Sequence, residues 1–298
     1  MARMAIGRLD GHRMTEILQR AGAGLALMGA LVFSGCGSIP AADAVHTNAS
    51  LTAPSATQER STPSDNLLRI ASQIEERGSI ATALPLYERA ATSPDADAPV
   101  YSRLADAYTK LGRYAEAEKT YRTALVKRAD YGPALLGLGG ILIGTGRAKE
   151  GLATLKQAAP LVNQPSAYDR LGVAHMAMGE PLEALASFEQ AHSMAPGDTD
   201  IATNLALAAA LSGDFDKAAG LAKEIAKAPD LKDYHRRNLV LIQAIAGRDE
   251  DARLAGHSLN SATVEQILDQ ARDIGSIASP KERAIALGTI NTKTVTAR

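Results

Sequence analysis

One spacing constrains this chain more than any other feature: a glycine returns every 34 residues, and once after 33. The glycines with this spacing are Gly78, Gly112, Gly146, Gly179, Gly213 and Gly247. Another small residue stands five residues after each of these glycines, and a further one stands seven residues before nearly all of them. A fixed period of this length is typical of stacked units, none of which can bury its apolar face alone. The chain is therefore predicted to form an elongated array of similar units.

The composition indicates that these units are helical. Alanine is abundant, Val and Ile are sparse, and 25 of the 298 residues are Gly. Alanine is the strongest helix former, whereas β-branched residues favour strands. A glycine just after a helix adopts the left-handed conformation at no steric cost, and small residues on facing helices let two backbones approach closely. Each unit is thus predicted to be a helix, a turn and a second helix, and the fold to be all-α.

The copy at 165–198 shows the pattern most fully. Its characteristic residues are Tyr168, Leu171, Gly172, Gly179, Ala184, Phe188, Ala191 and Pro196. This pattern resembles the tetratricopeptide repeat (TPR) family, although His175 stands where that family usually has Tyr. The resemblance implies a right-handed α-solenoid of helix-turn-helix repeats. It predicts that repeat packing depends on Gly112, Ala117, Gly146, Gly172, Gly179, Ala184, Phe188, Gly213 and Ala218.

The same resemblance divides the chain into domains. About six repeats are predicted over 64–266, in the windows 64–97, 98–131, 132–165, 165–198, 199–232 and 233–266, of which the third and fourth share residue 165. The period stops there, and a helix is predicted over 263–274, because Val264, Ile267, Leu268 and Ala271 share one face. Residues 267–298 are predicted to form capping helices and a frayed tail. Within that segment, Ser279, Pro280 and Glu282 are typical of the N-cap, N1 and N3 positions of a short helix over 280–287.

Residues 1–35 have the pattern of a lipoprotein signal peptide. Several arginines precede an apolar stretch from Ala21 to Phe33, which at about 13 residues is shorter than the roughly 20 needed to span a bilayer. Small residues then precede Cys36, the single cysteine, as in the bacterial lipobox. This resemblance implies a lipidated Cys36 and, because Gly37 follows instead of Asp, an anchor in the outer membrane facing the periplasm. The alternatives are an ordinary secretory signal, or a cytosolic protein with an apolar terminal helix; translation could also start at Met14.

Residues 36–63 are rich in Ala, Ser, Thr and Pro and contain few large apolar side chains. Such a segment cannot bury enough apolar surface to offset the entropy lost on ordering. A disordered tether between the lipid and the repeats is therefore predicted.

No catalytic or metal-binding pattern is present in the sequence. The six His do not form HExxH, one Cys excludes an intramolecular disulfide, and the glycine-rich stretch 137–146 lacks the lysine of a phosphate-binding loop. A net charge of −1 and 4% aromatic residues argue against nucleic-acid binding. We expect no enzymatic activity, no cofactor, no metal, no nucleic acid and no small-molecule substrate.

In the TPR family, the concave surface is lined by the first helix of each repeat, so a protein or peptide partner is expected there. The corresponding positions change from polar in the second repeat, at Ser102, Asp106 and Thr109, to mostly apolar further on. The candidate partner-binding residues are Leu136, Ile143, Asp169, Val173, Met176, Thr203, Asn204, Leu207 and Asn238. Exposed apolar patches mark partner sites, but residues 263–287 could instead fold back over this surface. Asn204 and Asn238, one period apart, either bind a ligand backbone or bond within the repeats.

Two stretches one period apart add a narrower resemblance. Asn204-Leu205-Ala206-Leu207 with Gly213-Asp214-Phe215, and Asn238-Leu239-Val240-Leu241 with Gly247-Arg248, are similar to the TadD family of tight-adherence (Flp) pilus assembly lipoproteins. The resemblance implies a non-enzymatic scaffold that helps to assemble such a pilus or secretion system by binding and localising its secretin, as a pilotin does. The alternative is a general periplasmic chaperone or an adaptor of cell-wall machinery.

Overall fold

The computed structural model describes residues 62–229 and 231–287, and over these residues it contains helices and no strand. The predictions for the signal peptide, for Cys36, for the tether up to residue 61 and for the tail beyond residue 287 lie outside the described residues. The described part therefore covers the predicted repeats and the start of the predicted C-terminal cap.

Helices follow one another in pairs, and each packs against the next. Those with both ends in the described part are α1 Pro63–Glu76, α2 Ile80–Ala91, α3 Ala98–Lys110, α4 Tyr114–Lys127, α5 Gly132–Gly144, α6 Ala148–Val162, α7 Pro165–Ala177, α8 Pro181–Met194, α9 Thr199–Ser212, α10 Phe215–Ile225, α11 Asp233–Ile245, α12 Asp249–Ala255 and α13 Ser261–Ser276. Residues 280–287, which we call the C-terminal helix, are also helical. The fold is a helical solenoid of repeats, which confirms the predicted all-α class.

The periodic glycines form the turns inside the helix pairs. All six have positive φ, between 69° at Gly179 and 95° at Gly213, as the sequence predicted. At Gly78, Gly112 and Gly146 no atom lies within 4 Å of the place where a Cβ would stand. The backbone angle, and not a lack of space, is therefore what requires glycine at these turns.

Small residues lie where paired helices meet. Ala83, Ala117, Ala184, Ala218 and Ala252, each five residues after a periodic glycine, are fully buried. Helices α5 and α6 approach each other closely: a Cβ on Gly151 would lie 2.9 Å from the backbone nitrogen of Ile143, and one on Gly139 would lie 2.5 Å from Cγ of Leu155. The recurrent small residues thus face one another and set the distance between helices.

The sixth repeat departs from the predicted windows. Its second helix, α12, spans only seven residues, and α13, Ser261–Ser276, starts inside the window 233–266. The helix predicted over 263–274 is thus confirmed and is two residues longer at each end. The Asn260 side chain accepts a hydrogen bond from the backbone N–H of Ala262 and so starts α13 early. A Cβ on Gly275 would lie 2.9 Å from the carbonyl oxygen of Ile245, so α13 packs directly on α11 and closes the stack.

Candidate protein-binding groove

The first helices of successive repeats form one continuous surface, which we call the groove. Helices α1, α3, α5, α7, α9 and α11 each contact the next in this series. Side chains that project from these six helices on the same side therefore lie beside side chains of the neighbouring repeats. Contacts within each repeat and between neighbouring repeats decide which of these side chains remain available to a partner.

A polar cavity of about 380 Å³ lies at the N-terminal end of the groove, and its lining residues are Ser72, Glu75, Glu76, Gly78, Ile80, Arg103 and Lys110. Lys110 forms an ion pair with Glu75, which also accepts a hydrogen bond of 2.5 Å from the Tyr87 hydroxyl. Burial, together with that hydrogen bond, raises the pKa of Tyr87 to about 12. Glu75 is thus occupied by two partners, whereas Arg103 makes neither an ion pair nor a hydrogen bond to any described residue.

The next part of the groove is centred on Asp106 of α3. The Tyr121 hydroxyl donates to Oδ1 of Asp106 over 2.6 Å. Burial raises the pKa of Asp106, although the Tyr121 hydrogen bond and the charges of Arg103, Lys110 and Arg170 act in the opposite direction. The Tyr121 ring lies against α5, where a Cβ on Gly137 would be 2.2 Å from Cζ. Gly137 therefore makes room for the ring that holds Asp106.

Asp169 and Asn204 bond to each other across the fourth and fifth repeats. Nδ2 of Asn204 donates to Oδ1 of Asp169 over 2.9 Å. Asn204 is therefore bonded inside the protein, as its second predicted alternative has it, but to the neighbouring repeat and not within its own. Burial raises the pKa of Asp169 although the Asn204 hydrogen bond opposes it. Thr203 is also unavailable to a partner, because it is buried and its hydroxyl donates to the carbonyl of Thr199.

A similar contact joins the fifth and sixth repeats and was not predicted. Asp200 accepts hydrogen bonds of 2.7 Å from the Tyr234 hydroxyl and from Nε2 of His235. Nδ1 of His235 accepts from the backbone N–H of Lys232, which places the imidazole proton on Nε2. The sequence signal was a spacing of about one period between Asp200 and the Tyr-His pair, but the spacing alone does not identify the bonded atoms.

The apolar candidates separate into two groups. Leu136 and Ile143 are half-buried against the core around Leu155. Met176 and Leu207 are half-buried against the apolar core around Leu211 and Ile242. Val173 belongs to neither group and is 37% exposed. The polar candidate Asn238 is half-buried.

The C-terminal helix folds back over the ends of α7 and α9. Arg283 is buried, with Nε donating to the carbonyl of Leu211 over 2.8 Å and Nη1 donating to the carbonyl of Ile277 over 2.7 Å. Its guanidinium carbon lies 5.5 Å from the centre of the Phe215 ring. A Cβ on Gly179 would lie 3.4 Å from Cγ1 of Ile285. Residues 280–287 therefore cover the C-terminal ends of these two helices, whereas Val173 of the groove remains 37% exposed.

Arg283 has no carboxylate partner among the described residues. Burial lowers its pKa, and the carbonyls that it binds lie at the C-terminal ends of α9 and α13, where the helix dipoles favour a cation. Sequence reasoning missed this contact, because an arginine in a short terminal helix carries no periodic signal.

His175, which stands where the TPR family usually has Tyr, lies inside the fold. His175 is buried, and its Nδ1 lies 2.7 Å from Oε2 of Glu180, consistent with a core histidine. Over residues 62–229 and 231–287, no three His, Cys, Asp or Glu side chains are grouped where they could hold a metal ion. No helix of this part is both long enough and apolar enough to cross a membrane.

Comparison with known proteins identifies the repeats. Residues 76–131 and 170–232 match two models of the tetratricopeptide repeat. The chain is thus a helical solenoid that contains TPRs, a fold through which proteins bind protein or peptide partners. No curated protein sequence matches the chain.

Several solved structures share this fold. PilF of Pseudomonas aeruginosa is 17% identical, with a TM-score of 0.60 over 70% of this chain and 97% of that one. PilW, a widely conserved type IV pilus biogenesis factor, is 19% identical, with a TM-score of 0.61 over 69% of this chain and 98% of that one. YrrB, a TPR protein with an unusual peptide-binding site, is 17% identical, with a TM-score of 0.50 over 61% of this chain and 92% of that one. At these identities the likeness is one of fold.

Proposed function

We propose that this protein is a non-enzymatic TPR scaffold of the bacterial envelope that acts in the assembly of a pilus or secretion system. The observation that carries the proposal is the continuous groove, in which Arg103 and Val173 are exposed while most polar side chains between them are held by contacts within the stack. Such a preformed surface can bind a segment of another protein with little reorganisation. The likeness to PilF and to the pilus biogenesis factor PilW over nearly their whole lengths supports the pilus setting.

The more specific part of the proposal is the machine and the partner. The similarity of 204–215 and 238–248 to the TadD family favours a tight-adherence (Flp) pilus and its secretin. A lipid on Cys36 would hold the scaffold on the outer membrane, facing the periplasm. A partner bound in the groove would then be kept at the surface where it assembles, because anchoring raises the effective concentration without new contacts.

Co-purification from detergent extracts tests the partner. A tagged full-length protein is expected to retain the secretin, and deletion of its gene is expected to lower the abundance and multimerisation of that secretin. Normal secretin abundance and multimerisation after deletion would contradict the proposal. A broad set of unrelated clients would instead favour a general periplasmic chaperone.

The Cys36→Ser variant tests the anchor. It should lose incorporation of labelled fatty acid and leave the membrane fraction, because the single thiol that can accept a diacylglycerol is removed. Its circular dichroism spectrum should match that of the wild-type protein. The control Ser38→Ala keeps the thiol and should be labelled normally; persistent labelling of Cys36→Ser would show that the lipobox interpretation is wrong.

A further inference from the structure

We propose that the second helices of the second and third repeats form a membrane-contact surface that binds anionic phospholipid headgroups. This surface, which we call the outer basic face, consists of six exposed residues of α4 and α6: Lys119, Arg122, Val126, Lys149, Ala153 and Lys156. The groove belongs to the first helices, so this inference concerns a different surface and goes beyond the proposed function.

Charge is distributed unevenly along the stack. Residues 98–165 contain ten Lys or Arg and five Asp or Glu, whereas residues 166–287 contain twelve Lys or Arg and eighteen Asp or Glu. The net charge of −1 for the whole chain therefore hides an excess of positive charge in the second and third repeats. Such an excess attracts an anionic surface that comes within about one Debye length, roughly 8–10 Å.

The outer basic face follows from helical spacing. Its members on α4 are three and four residues apart, and its members on α6 are four and three residues apart, so each set forms one stripe along its helix. Arg122 and Lys156 occupy the same position in neighbouring repeats, 34 residues apart. The two stripes are therefore in register, and neither contains Asp or Glu.

The carboxylates of α4 and α6 lie beside these stripes, and each has a cationic partner. Glu118 lies 2.8 Å from Nη2 of Arg122 and 2.6 Å from Nη1 of Arg147. Glu116 and Glu150 each pair with the arginine three residues earlier. Three arginines and three glutamates thus neutralise one another, and the lysines of the two helices are left over.

The left-over lysines keep their charge available. The ammonium groups of Lys119, Lys149 and Lys156 make no ion pair or hydrogen bond with any residue that the structure describes. Lys127 and Arg128 add two exposed cations at the end of α4, each above a tyrosine ring. An ammonium group is a compact charge that needs no fixed partner geometry, which suits the phosphates of a fluid lipid surface.

Acidic residues limit the outer basic face to two repeats. Glu88 of α2 and Glu189 of α8 stand in the first and fourth repeats where Arg122 and Lys156 stand in the second and third. Asp130 is exposed in the loop that follows α4. A membrane is therefore expected to contact the second and third repeats and not the whole length of the stack.

Val126 favours a membrane over a nucleic acid as the anionic partner. Its side chain is 85% exposed, the largest exposed fraction among the large apolar side chains of the described residues, and Lys127 and Arg128 follow it directly. An aliphatic side chain beside cations gains free energy on entering the boundary between headgroups and acyl chains. A phosphate backbone offers it no such environment, and 4% aromatic residues provide few rings to stack on bases.

Tryptophan fluorescence tests the contact. The chain has no tryptophan, so Val126→Trp places a single reporter in the outer basic face. The full-length variant is mixed at low salt with vesicles of equal parts phosphatidylglycerol and phosphatidylcholine. Its emission maximum should move to shorter wavelength, and lipids with brominated acyl chains should quench it, because the indole enters the membrane interface. An unchanged emission without quenching would overturn the proposal.

Leu254→Trp is the matched control for the reporter. Leu254 is 71% exposed on α12, whose first turn consists of Asp249, Glu250 and Asp251. Its emission should stay that of a water-exposed indole with the same vesicles. Both variants carry the same N-terminal segment, so membrane binding by that segment cannot make them differ. Equal shifts and equal quenching in the two variants would mean that the outer basic face is not the contact.

Lipid charge and lysine charge should both control the contact. Vesicles of phosphatidylcholine alone, or about 0.5 M salt, should abolish the response of the Val126→Trp reporter. In this reporter background, Lys119→Glu/Lys156→Glu should raise the lipid concentration at the midpoint by about tenfold or more. The matched control Lys227→Glu/Lys281→Glu changes net charge equally at exposed residues outside the outer basic face and should leave the midpoint unchanged. An equal increase in both would mean that net charge alone controls binding.

Competition separates a membrane from other polyanions. A DNA duplex should displace the Val126→Trp reporter from the vesicles only at a higher phosphate concentration than the lipid supplies; displacement at a lower one would overturn the choice of partner. If the secretin co-purifies but the reporter does not respond, this inference alone is wrong. If the reporter responds but no secretin co-purifies, the proposed partner of the groove alone is wrong.

Discussion

Gly172→Ala is expected to lower the free energy of unfolding by about 1–3 kcal/mol, as overpacking of a tight core does. A Cβ at this position would lie 2.6 Å from Cε1 of Phe188 and 2.7 Å from its Cδ1 and Cζ atoms. The Phe188 ring is only 2% exposed, so it cannot move away without shifting α7 from α8. The gain of about 1 kcal/mol in helix propensity acts in the opposite direction and is smaller than the clash. Urea denaturation followed by circular dichroism measures the difference.

Gly220→Ala is the matched control for this substitution. Gly220 lies inside α10, is exposed, and has no atom within 4 Å of the place where a Cβ would stand. Alanine there should raise the free energy of unfolding by roughly 0.5–1 kcal/mol, because only the helix propensity changes. If the two variants respond in the same direction, the close approach of α7 and α8 is not present in solution.

Arg283→Met is expected to have the second large effect and to lower the free energy of unfolding by about 2–4 kcal/mol. The substitution removes hydrogen bonds from a charged donor and leaves two carbonyl acceptors without that donor. The methionine can fill the space beside Phe215, but it cannot donate to the carbonyls of Leu211 and Ile277. The C-terminal helix should then detach from the stack. Hydrogen exchange should become faster over 277–287, and limited proteolysis should cut after Ser276.

Two further variants distinguish the hydrogen bonds of Arg283 from general effects of a substitution in the C-terminal helix. Arg283→Lys keeps the charge but replaces the planar fork by a single ammonium group, so it should show a smaller loss than Arg283→Met. Lys281→Met changes an exposed residue of the same helix and should leave hydrogen exchange over 277–287 unchanged. Wild-type protection of this segment in Arg283→Met would show that the guanidinium does not hold it.

Much of the fold was predictable from the period. The glycines form the turn, and the small residues form the contact, inside a single helix pair. Gly112 and Ala117 therefore have the same roles in their repeat as Gly179 and Ala184 have in theirs. The end of the array was less predictable: α13 starts at Ser261 because of a local cap at Asn260, and a cap of this kind leaves the 34-residue pattern unchanged.

The groove was predictable only as a set of positions. The repeat positions place Asp106, Asp169, Thr203 and Asn204 on the first helices. The structure shows in addition that Asn204 bonds Asp169 and that Thr203 is buried. Tyr121 reaches Asp106 from a second helix because Gly137 leaves space for its ring. These outcomes depend on which residues meet across paired helices and across neighbouring repeats, and the repeat pattern does not describe those meetings.

The order of helices, their turns and their buried small faces follow from short-range rules that each repeat satisfies on its own, and for that reason they can be derived from the amino-acid order. The availability of the groove does not follow in this way. Arg283 reaches the carbonyl of Leu211 across 72 residues, and Asn204 bonds Asp169 across 35 residues. Only the path of the whole chain brings such distant residues together, so only the folded stack decides which part of the surface is covered and which part can bind.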